Sequence, residues 1–529
     1  MAQHHISAGR VQKGWTAEPA IEHLRRSNDP PSGMEDATLR GYLSDSYGVL
    51  QSVDSEIATL RERLAQRIRE RDAIRAQMDE CKGLLSPLRR LPLELLSHIF
   101  VDCLPGNTFI IPHRLSAPLL LTQVCSTWRR TALSTSALWC SLKIEMGQRD
   151  EPRTHLTKAE LMRTWLSRAG VRPLSLHYAD NRDGVDIVPD GPDMLHILRE
   201  YLPQCRVLHF FALSGETLGG VRFPYLERLD ISVVFRLPRD FLIWTPCIES
   251  LKVSWAHFLY LDMANMPWEN LTSLHIRSIH RPRECVNALR KCTALRTCTL
   301  ELNRNWDAEV EDKTDVPEKV VLPGLQFLKL ATHTSGIFDA IAESIIAPAL
   351  KHLEISSLFS KVGSYDVWSS MFIESGIALE TLDLHSIQPP FDTLEDFINM
   401  LELMGSLRKL SITGPEANDP FDGRTDEFMV RITHSVPGPY RCEPRLLPNL
   451  EELILSVESE PFTCSLVTHM LKSRVVTWPE DPDNVATVAL KKADIRMHSG
   501  YEEDKTRRWT VSCGVIAEEL VERQPWERY

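Results

Sequence analysis

Residue types able to carry covalent or metal chemistry occur in this chain, but they are not spaced for it. His275, His280, Cys285 and Cys292 fall within one short stretch, and imidazole and thiolate are common zinc ligands. Their separations match none of the patterns that close a tetrahedral site, and His275 occupies an expected strand position, so no metal is expected. The twelve cysteines are scattered singly, with no Cys-x-x-Cys pair. Reduced, buried thiols are then the default. There is no Gly-rich phosphate loop, no His-Glu-x-x-His helix and no Gly-x-Ser-x-Gly turn. The chain reads as non-catalytic and without cofactors, so its chemistry is that of non-covalent recognition.

A second set of polar residues is spaced regularly, because a hydrophobic repeat places it. The pattern apolar-x-x-apolar-x-apolar appears as Val171/Leu174/Leu176, Leu226/Leu229/Ile231, Ile248/Leu251/Val253, Leu271/Leu274/Ile276 and Leu295/Cys298/Leu300. It continues as Leu325/Leu328/Leu330, Leu350/Leu353/Ile355, Leu379/Leu382/Leu384, Leu407/Leu410/Ile412 and Leu450/Leu453/Leu455, with weaker copies at Cys205/Leu208/Phe210 and Val485/Val488/Leu490. Helical-looking segments precede many copies: Met194–Tyr201, Cys285–Lys291, Ile337–Ile346, Leu394–Met404 and Leu466–Lys472. A short strand plus a helix at this period resembles leucine-rich repeats, in which stacked units bury a continuous core. The expected fold is α/β, with an irregular solenoid over 165–515 and a parallel concave sheet. Eight residues into a regular repeat the family places Asn or Cys, whereas this chain has Val234, Ile279, Leu358 and Ile387. The repeat is of a divergent type.

Strand alternation turns the repeat into a surface. If Leu229 and Ile231 face the core, Arg228, Asp230 and Ser232 face the other way. The same arithmetic exposes Lys252, His275, Arg277, Phe327, Lys329, His352, Glu354, Asp383 and His385, together with His209, Phe211 and Lys409. A mixed-charge strip with occasional aromatics suits the capture of a protein target, and the expected target site is this face. The stretch 413–447 contains Gly414-Pro415, Asp419-Pro420 and Pro437-Gly438-Pro439 and reads as a protruding insertion. The acidic run Asp307, Glu309, Glu311, Asp312 and Asp315 reads as a solvated loop.

Ahead of the repeats stands Leu91-Pro92-Leu93-Glu94-Leu95-Leu96-Ser97-His98-Ile99-Phe100, followed by Val124-Cys125-Ser126-Thr127-Trp128-Arg129 and Leu138-Trp139. Pro92 suits a first helical turn, which leaves its amide unpaired anyway. Leu95, Leu96, Ile99 and Phe100 recur at helical spacing, and Trp128 follows Val124 by four residues, so both runs read as helix. A second helix is expected to start near Pro118. Over roughly 86–145 the order and spacing resemble the F-box, and with the repeats the chain resembles the divergent basidiomycete fungal F-box family. The resemblance implies three short helices that dock a Skp-type adaptor, held in turn by a cullin scaffold. Leu91, Pro92, Leu95, Ile99, Val124, Cys125 and Trp128 then pack within that domain or meet the adaptor. The implied function is substrate recognition in an SCF-type ubiquitin ligase; a repeat-based interaction scaffold outside any ligase is the alternative. No zinc-binding cysteine array of the RING kind is present, so ubiquitin transfer by this chain itself is not expected.

Residues 1–50, with Pro30-Pro31-Ser32-Gly33, read as disordered. Over 51–83 a coiled-coil-like helix is expected: Val53, Ile57, Leu60, Leu64, Arg67, Arg71, Ile74, Met78 and Cys81 follow alternating four- and three-residue steps. Two arginines in that seam leave open a lone helix or a weak self-association through 52–82. A length of 529 residues implies more than one cooperative unit. The net charge of −12 argues against a nucleic-acid partner, and no apolar run suggests a membrane span or signal peptide. Cytosol or nucleus is the expected compartment.

Overall fold

The computed structural model describes residues 22–106, 108–147, 152–180, 194–212, 218–233, 245–254, 266–277, 282–302, 319–332, 335–356, 363–385, 393–413, 424–433, 446–458, 463–475, 488–498, 505–512 and 515–522. Two compact units divide the chain, Met1–Leu95 and Leu96–Tyr529.

The first unit is dominated by one helix, α1 (Gly33–Leu85), of 53 residues. It starts in a stretch that reads as disordered. Ser32 and Glu35 form a capping box, with the Ser32 amide donating to Glu35 Oε2 at 2.7 Å, and this satisfies donors that the first turn leaves open. Gly41 and Gly48 lower the helix propensity of 33–50, at about 1 kcal/mol each, which is why composition alone misplaces the start. Residues 1–21 lie outside the described residues. A 3-10 turn, Pro87–Arg90, leads to α2 (Leu93–Asp102), within which the two units meet in sequence.

In the second unit the expected second helix of the motif starts later than its apolar run suggests. Leu120–Gln123 is only a 3-10 turn, and α3 spans Ser126–Ser134. Val124 precedes that helix, and Cys125 is its N-cap, its Sγ accepting from the Trp128 amide at 3.5 Å. The Trp128 ring lies 4.9 Å from that of Phe100 and is only half-buried, so it is not the buried anchor of this region. That part is played by Trp139, fully buried, donating from Nε1 to Ala132 O at 2.9 Å and standing edge-on to Trp165 at 4.8 Å.

From here strands recur, many of them separated by helices: β1 (Ser141–Met146), α4 (Pro152–Ala169), β2 (Leu174–Asp180), α5 (Met194–Tyr201), β3 (Cys205–Ala212), β4 (Arg228–Val233), β5 (Ser250–Ser254), β6 (Ser273–Arg277), α6 (Pro282–Leu289), β7 (Thr297–Leu302), β8 (Val320–Val321), β9 (Phe327–Thr332), α7 (Ser335–Ser344) and β10 (Ile345–Ile346). It continues with β11 (His352–Ser356), α8 (Tyr365–Ser375), β12 (Thr381–His385), α9 (Leu394–Glu402), β13 (Lys409–Thr413), α10 (Thr425–Ile432), β14 (Glu452–Glu458), α11 (Cys464–Val475), β15 (Lys492–His498), β16 (Lys505–Ser512) and β17 (Val515–Glu522). Except for β8 and β10, which pair with each other, the strands form one open sheet of 15 strands in sequence order. Pairing is parallel from β1 to β15, and β15–β16–β17 is antiparallel. The sheet therefore begins before residue 165 and is mostly, not wholly, parallel.

The repeat explains this regularity. Its second and third apolar positions point into the core along each strand, as Leu229 and Ile231 or Leu353 and Ile355 do, at no more than 2% exposure. Its first position, such as Leu271, Leu295, Leu325 or Leu407, is buried just ahead of the strand. Beside it the backbone steps from copy to copy: Thr272 N–H donates to Glu249 O, Arg296 to Thr272, Gln326 to Arg296, Lys351 to Gln326 and Glu380 to Lys351, at 2.8–3.0 Å. Backbone polar groups at the strand entrances are thus paired. Two copies need correction. Val171 is 95% exposed, so the first copy has no leading position. In the last, Leu490 is the buried leading residue and Ala493 and Ile495 are the core strand positions, shifting that copy toward the C-terminus. Val485, and the turn positions Val234, Ile279, Leu358 and Ile387, lie outside the described residues.

One edge of the sheet is covered. The long segment between α2 and α3 brings Thr108 and Ile110 against β1: Lys143 N–H donates to Ile110 O at 2.8 Å, Ile110 N–H to Ser141 Oγ at 3.2 Å, and Ser141 Oγ to Thr108 O at 2.8 Å. An open strand edge invites unwanted pairing, and this segment occupies it.

Candidate functional site

Two surfaces come into question. The first surrounds α2. Leu96 and Phe100 are buried, while Leu95 and Ile99, on an adjacent stripe about 100° round the same helix, are 53% and 43% exposed. In the first unit Pro92 and Leu93 are also exposed and Leu91 is half-buried. In the second unit Val124 and Leu120 are exposed apolar residues, Cys125 is exposed, and Leu121 is buried. An isolated exposed leucine needs no explanation. Within each unit separately, apolar residues left outside at motif positions are less ordinary.

The second surface is the polar face of the sheet, and register settles which side chains share it. One row runs His209, Asp230, Lys252, His275, Thr299, Lys329, Glu354 and Asp383 across β3 to β12. It extends back through His177 to Lys143. A neighbouring row carries Phe211, Ser232, Arg277, Glu301 and His385, and the row on the other side carries Arg228, Phe327, His352 and Lys409. All the residues assigned to this face by alternation therefore lie on it.

Their state differs from the expectation in two respects. Asp230 and Asp383, expected to face a target, are buried to 7% and 6% exposure. Lys252 meets Asp230 at 3.0 Å, while Lys409 and His352 meet Asp383 at 2.9 and 3.1 Å. Most of the remaining charges are also mutually engaged. Lys329 bonds Glu354 at 2.6 Å, Glu301 joins Arg277 at 3.0 Å and His275 at 3.3 Å, and His385 Nδ1 lies 2.6 Å from Thr413 Oγ1. Partial burial makes such pairs costly to break, because removing one partner leaves a poorly solvated charge, whereas exposed pairs contribute about 0–1 kcal/mol. Much of this face is thus an internal network of neutralised charge.

Its N-terminal end is aromatic. Phe109 stands edge-on to His209 at 4.5 Å and lies 5.5 Å from His177, which is 5.6 Å from His209 and 5.5 Å from Phe211. Burial lowers the pKa of His177, His209 and His275 below the ordinary value, against an opposing pull from Glu145, Asp230 and Glu301 respectively. Burial thus favours the neutral form of these imidazoles. At the far end Asp494 is clasped by Arg508 at 2.9 Å and Arg496 at 3.1 Å. Burial pushes its carboxyl upward, but those two hydrogen-bonded guanidinium groups prevail and hold it below the usual carboxylate range.

Sequence reasoning missed Phe109, His177, Glu301 and Asp494. For Glu301 the signal was available, since alternation from Cys298 and Leu300 places Thr299 and Glu301 on the face. His177 follows by the same rule from Leu174 and Leu176. Phe109 sits in a loop with no period, and Arg508 belongs to an antiparallel addition that has no repeat.

Among the described residues no group of three or more His, Cys, Asp or Glu side chains is arranged to hold a metal. His275 is turned to Glu301, whereas Cys285 and Cys292 are buried. The Cys292 thiol donates to Ala288 O at 3.3 Å and is pushed up to about 12 by burial. His280, the acidic run 307–315 and most of the 413–447 insertion lie outside the described residues; the insertion's described part contains α10. Burial does not extend to every thiol: Cys81, Cys103, Cys125 and Cys247 are exposed. No described helix is long and apolar enough to cross a membrane. Comparison with protein-family models finds no matching family, and a search of curated proteins finds no relative.

Proposed function

We propose that this chain is the substrate receptor of an SCF-type ubiquitin ligase, in which residues 86–145 act as an F-box that docks a Skp-type adaptor. The observation that carries the reading is the pair of differently covered stripes on α2, about 100° apart round the helix. Leu96 and Phe100 close the core, while Leu95 and Ile99 remain outside in the positions that the F-box motif gives to apolar residues. An exposed apolar helix face of this kind gains by covering itself with a partner, at about 25 cal/mol per Å² removed from water. In this reading the polar sheet face holds the target protein and the cullin scaffold brings the loaded ubiquitin donor. The chain contributes proximity, raising the local concentration of a target lysine near that donor. The acceleration comes from positioning, and transfer chemistry resides in the other subunits.

The test is affinity purification of the full chain followed by mass spectrometry, beside a Leu91→Ala/Pro92→Ala double variant. The wild type should bring down a Skp-type adaptor and a cullin, and the variant should lose both while retaining its sheet. A scaffold acting outside any ligase would yield target proteins without adaptor from both forms.

A further inference from the structure

We propose that α1 pairs with the α1 of a second copy of this chain as a parallel, in-register, two-stranded coiled coil. None of its 53 residues is buried, and every residue from Leu50 to Leu85 is exposed. Nothing in the helix rewards an apolar stripe unless another surface covers it. The structure also lengthens the stripe. The alternating steps between Val53 and Cys81 continue upstream through Leu50, Ser46, Leu43 and Leu39, and downstream to Leu85, all inside α1. The seam then spans about six heptads, with polar side chains only at Ser46, Arg67 and Arg71.

Charges beside the seam select both the occupant and its direction. With Ile57 and Leu64 at a and Val53 and Leu60 at d, Glu35, Glu56, Glu70 and Arg63 fall at g, and Arg40, Asp54, Arg61, Arg75 and Lys82 fall at e; in a parallel pair Arg63 faces Ile68 and Asp54 faces Val49. In a parallel, in-register pair each g residue meets the e residue five positions further along the other helix. Glu56 then meets Arg61 of the second copy, Glu70 meets Arg75, and Tyr42 meets Tyr47. None of these pairings sets like charges together. A fully overlapping antiparallel pair, e against e and g against g, would keep only Glu56–Arg63 and Asp54–Arg61 as opposite-charge pairs, would set Arg40 against Arg75, and would leave Glu35 and Glu70 facing apolar residues. The seam arginines fit the same arrangement. In the single helix Arg67 reaches Glu70 at 2.7 Å and Arg71 reaches Asp72 at 2.7 Å. Their stems can lie along the seam while the charged ends stay at its border, and polar residues at seam positions tie a coil to one register while weakening it. Self-association does not depend on the proposed adaptor; with it, the receptor would present two target-binding faces.

The experiment uses the full chain. Sedimentation at micromolar concentration should give a mass twice the 60.3 kDa of one chain. Ile57→Asp with Leu60→Asp should give monomers whose sheet melts at an unchanged temperature. Glu56→Arg with Glu70→Arg should raise the dimer dissociation constant at least tenfold, and adding Arg61→Glu and Arg75→Glu should restore it. Cys81 occupies a d position, so mild oxidation should join two chains through Cys81 and fail in Cys81→Ser. A monomeric wild type, or a dimer indifferent to Ile57→Asp/Leu60→Asp, would overturn the proposal. A dimer that never cross-links through Cys81 would overturn its parallel register.

Discussion

In α1 a regular apolar seam runs for dozens of residues and nothing is buried; in β9, six residues bury three side chains, Leu328, Leu330 and Thr332. Both segments alternate apolar and polar residues with a fixed period. The strand meets its neighbours β7 and β11 in the same chain, and α7 packs against it. The helix would meet its counterpart only in another chain. Periodicity thus states that a face must be covered, and the length of uncovered element after folding shows what remains for a partner. Set between these extremes, α2 buries one stripe and exposes the adjacent one.

The largest expected contrast is between substitutions that look alike in sequence. Trp139→Ala removes a fully buried indole with its Ala132 hydrogen bond and its Trp165 contact. It should cost about 3–5 kcal/mol of the second unit's stability in denaturant unfolding. Leu60→Ala, an equally apolar position, should leave that unfolding unchanged. Equal losses would erase the distinction between covered and uncovered periods.

Next is Arg474, on α11, 2% exposed and donating to the carbonyl oxygens of Ile432, Leu446 and Leu447 at 2.6–3.1 Å. Burial lowers its pKa. The side chain ties together the two ends of the stretch leading from α10 to β14. Arg474→Leu leaves three carbonyls without this donor and should destabilise the unit by about 3 kcal/mol, measured by chemical denaturation. A neutral outcome would mean that water replaces the guanidinium.

A smaller effect concerns pH. His177, His209 and His275 titrate below their unfolded value of about 6.5 because burial opposes the charge. The unfolded chain then binds protons more readily, so their contribution is complete above about pH 6.5 and is lost as pH falls through the lowered folded values. The melting temperature should decline over that interval, and His209→Gln should flatten the decline. An unchanged slope would remove His209 from the account.

The smallest contrast separates two cations of the polar face. Arg277, with a side chain 62% exposed, should tolerate reversal to Glu within about 0.5 kcal/mol. Lys329→Glu places a carboxylate beside half-buried Glu354 and should cost about 1 kcal/mol or more. Thermal melts of the two variants read the difference directly, and equal melts would show that the face is solvated throughout. Lys329 is therefore a poorer probe of target capture than alternation alone suggests.

Much of the sheet was legible because a leading apolar residue and two alternating ones recur in each copy, as at Leu325, Leu328 and Leu330. Polar residues of the face followed by parity, without contact information. What was not legible depends on encounters distant in sequence. The burial of Asp230 and Asp383 needs Lys252, Lys409 and His352 from neighbouring copies. The cover that Thr108 and Ile110 give to β1 has no period at all. The start of α1 was written in Ser32 and Glu35, but Gly41 and Gly48 obscured it. The hairpin strands β16 and β17 follow the repeat without obeying it.

Direct titration of the purified full chain with a purified Skp-type adaptor tests the central claim most closely. Saturable one-to-one binding per chain is expected, weakened at least a hundredfold by Leu95→Asp with Ile99→Asp, while the melting of the sheet is unaltered because both side chains are exposed. Absence of binding by the wild type, or binding of undiminished affinity by the double variant, would contradict it.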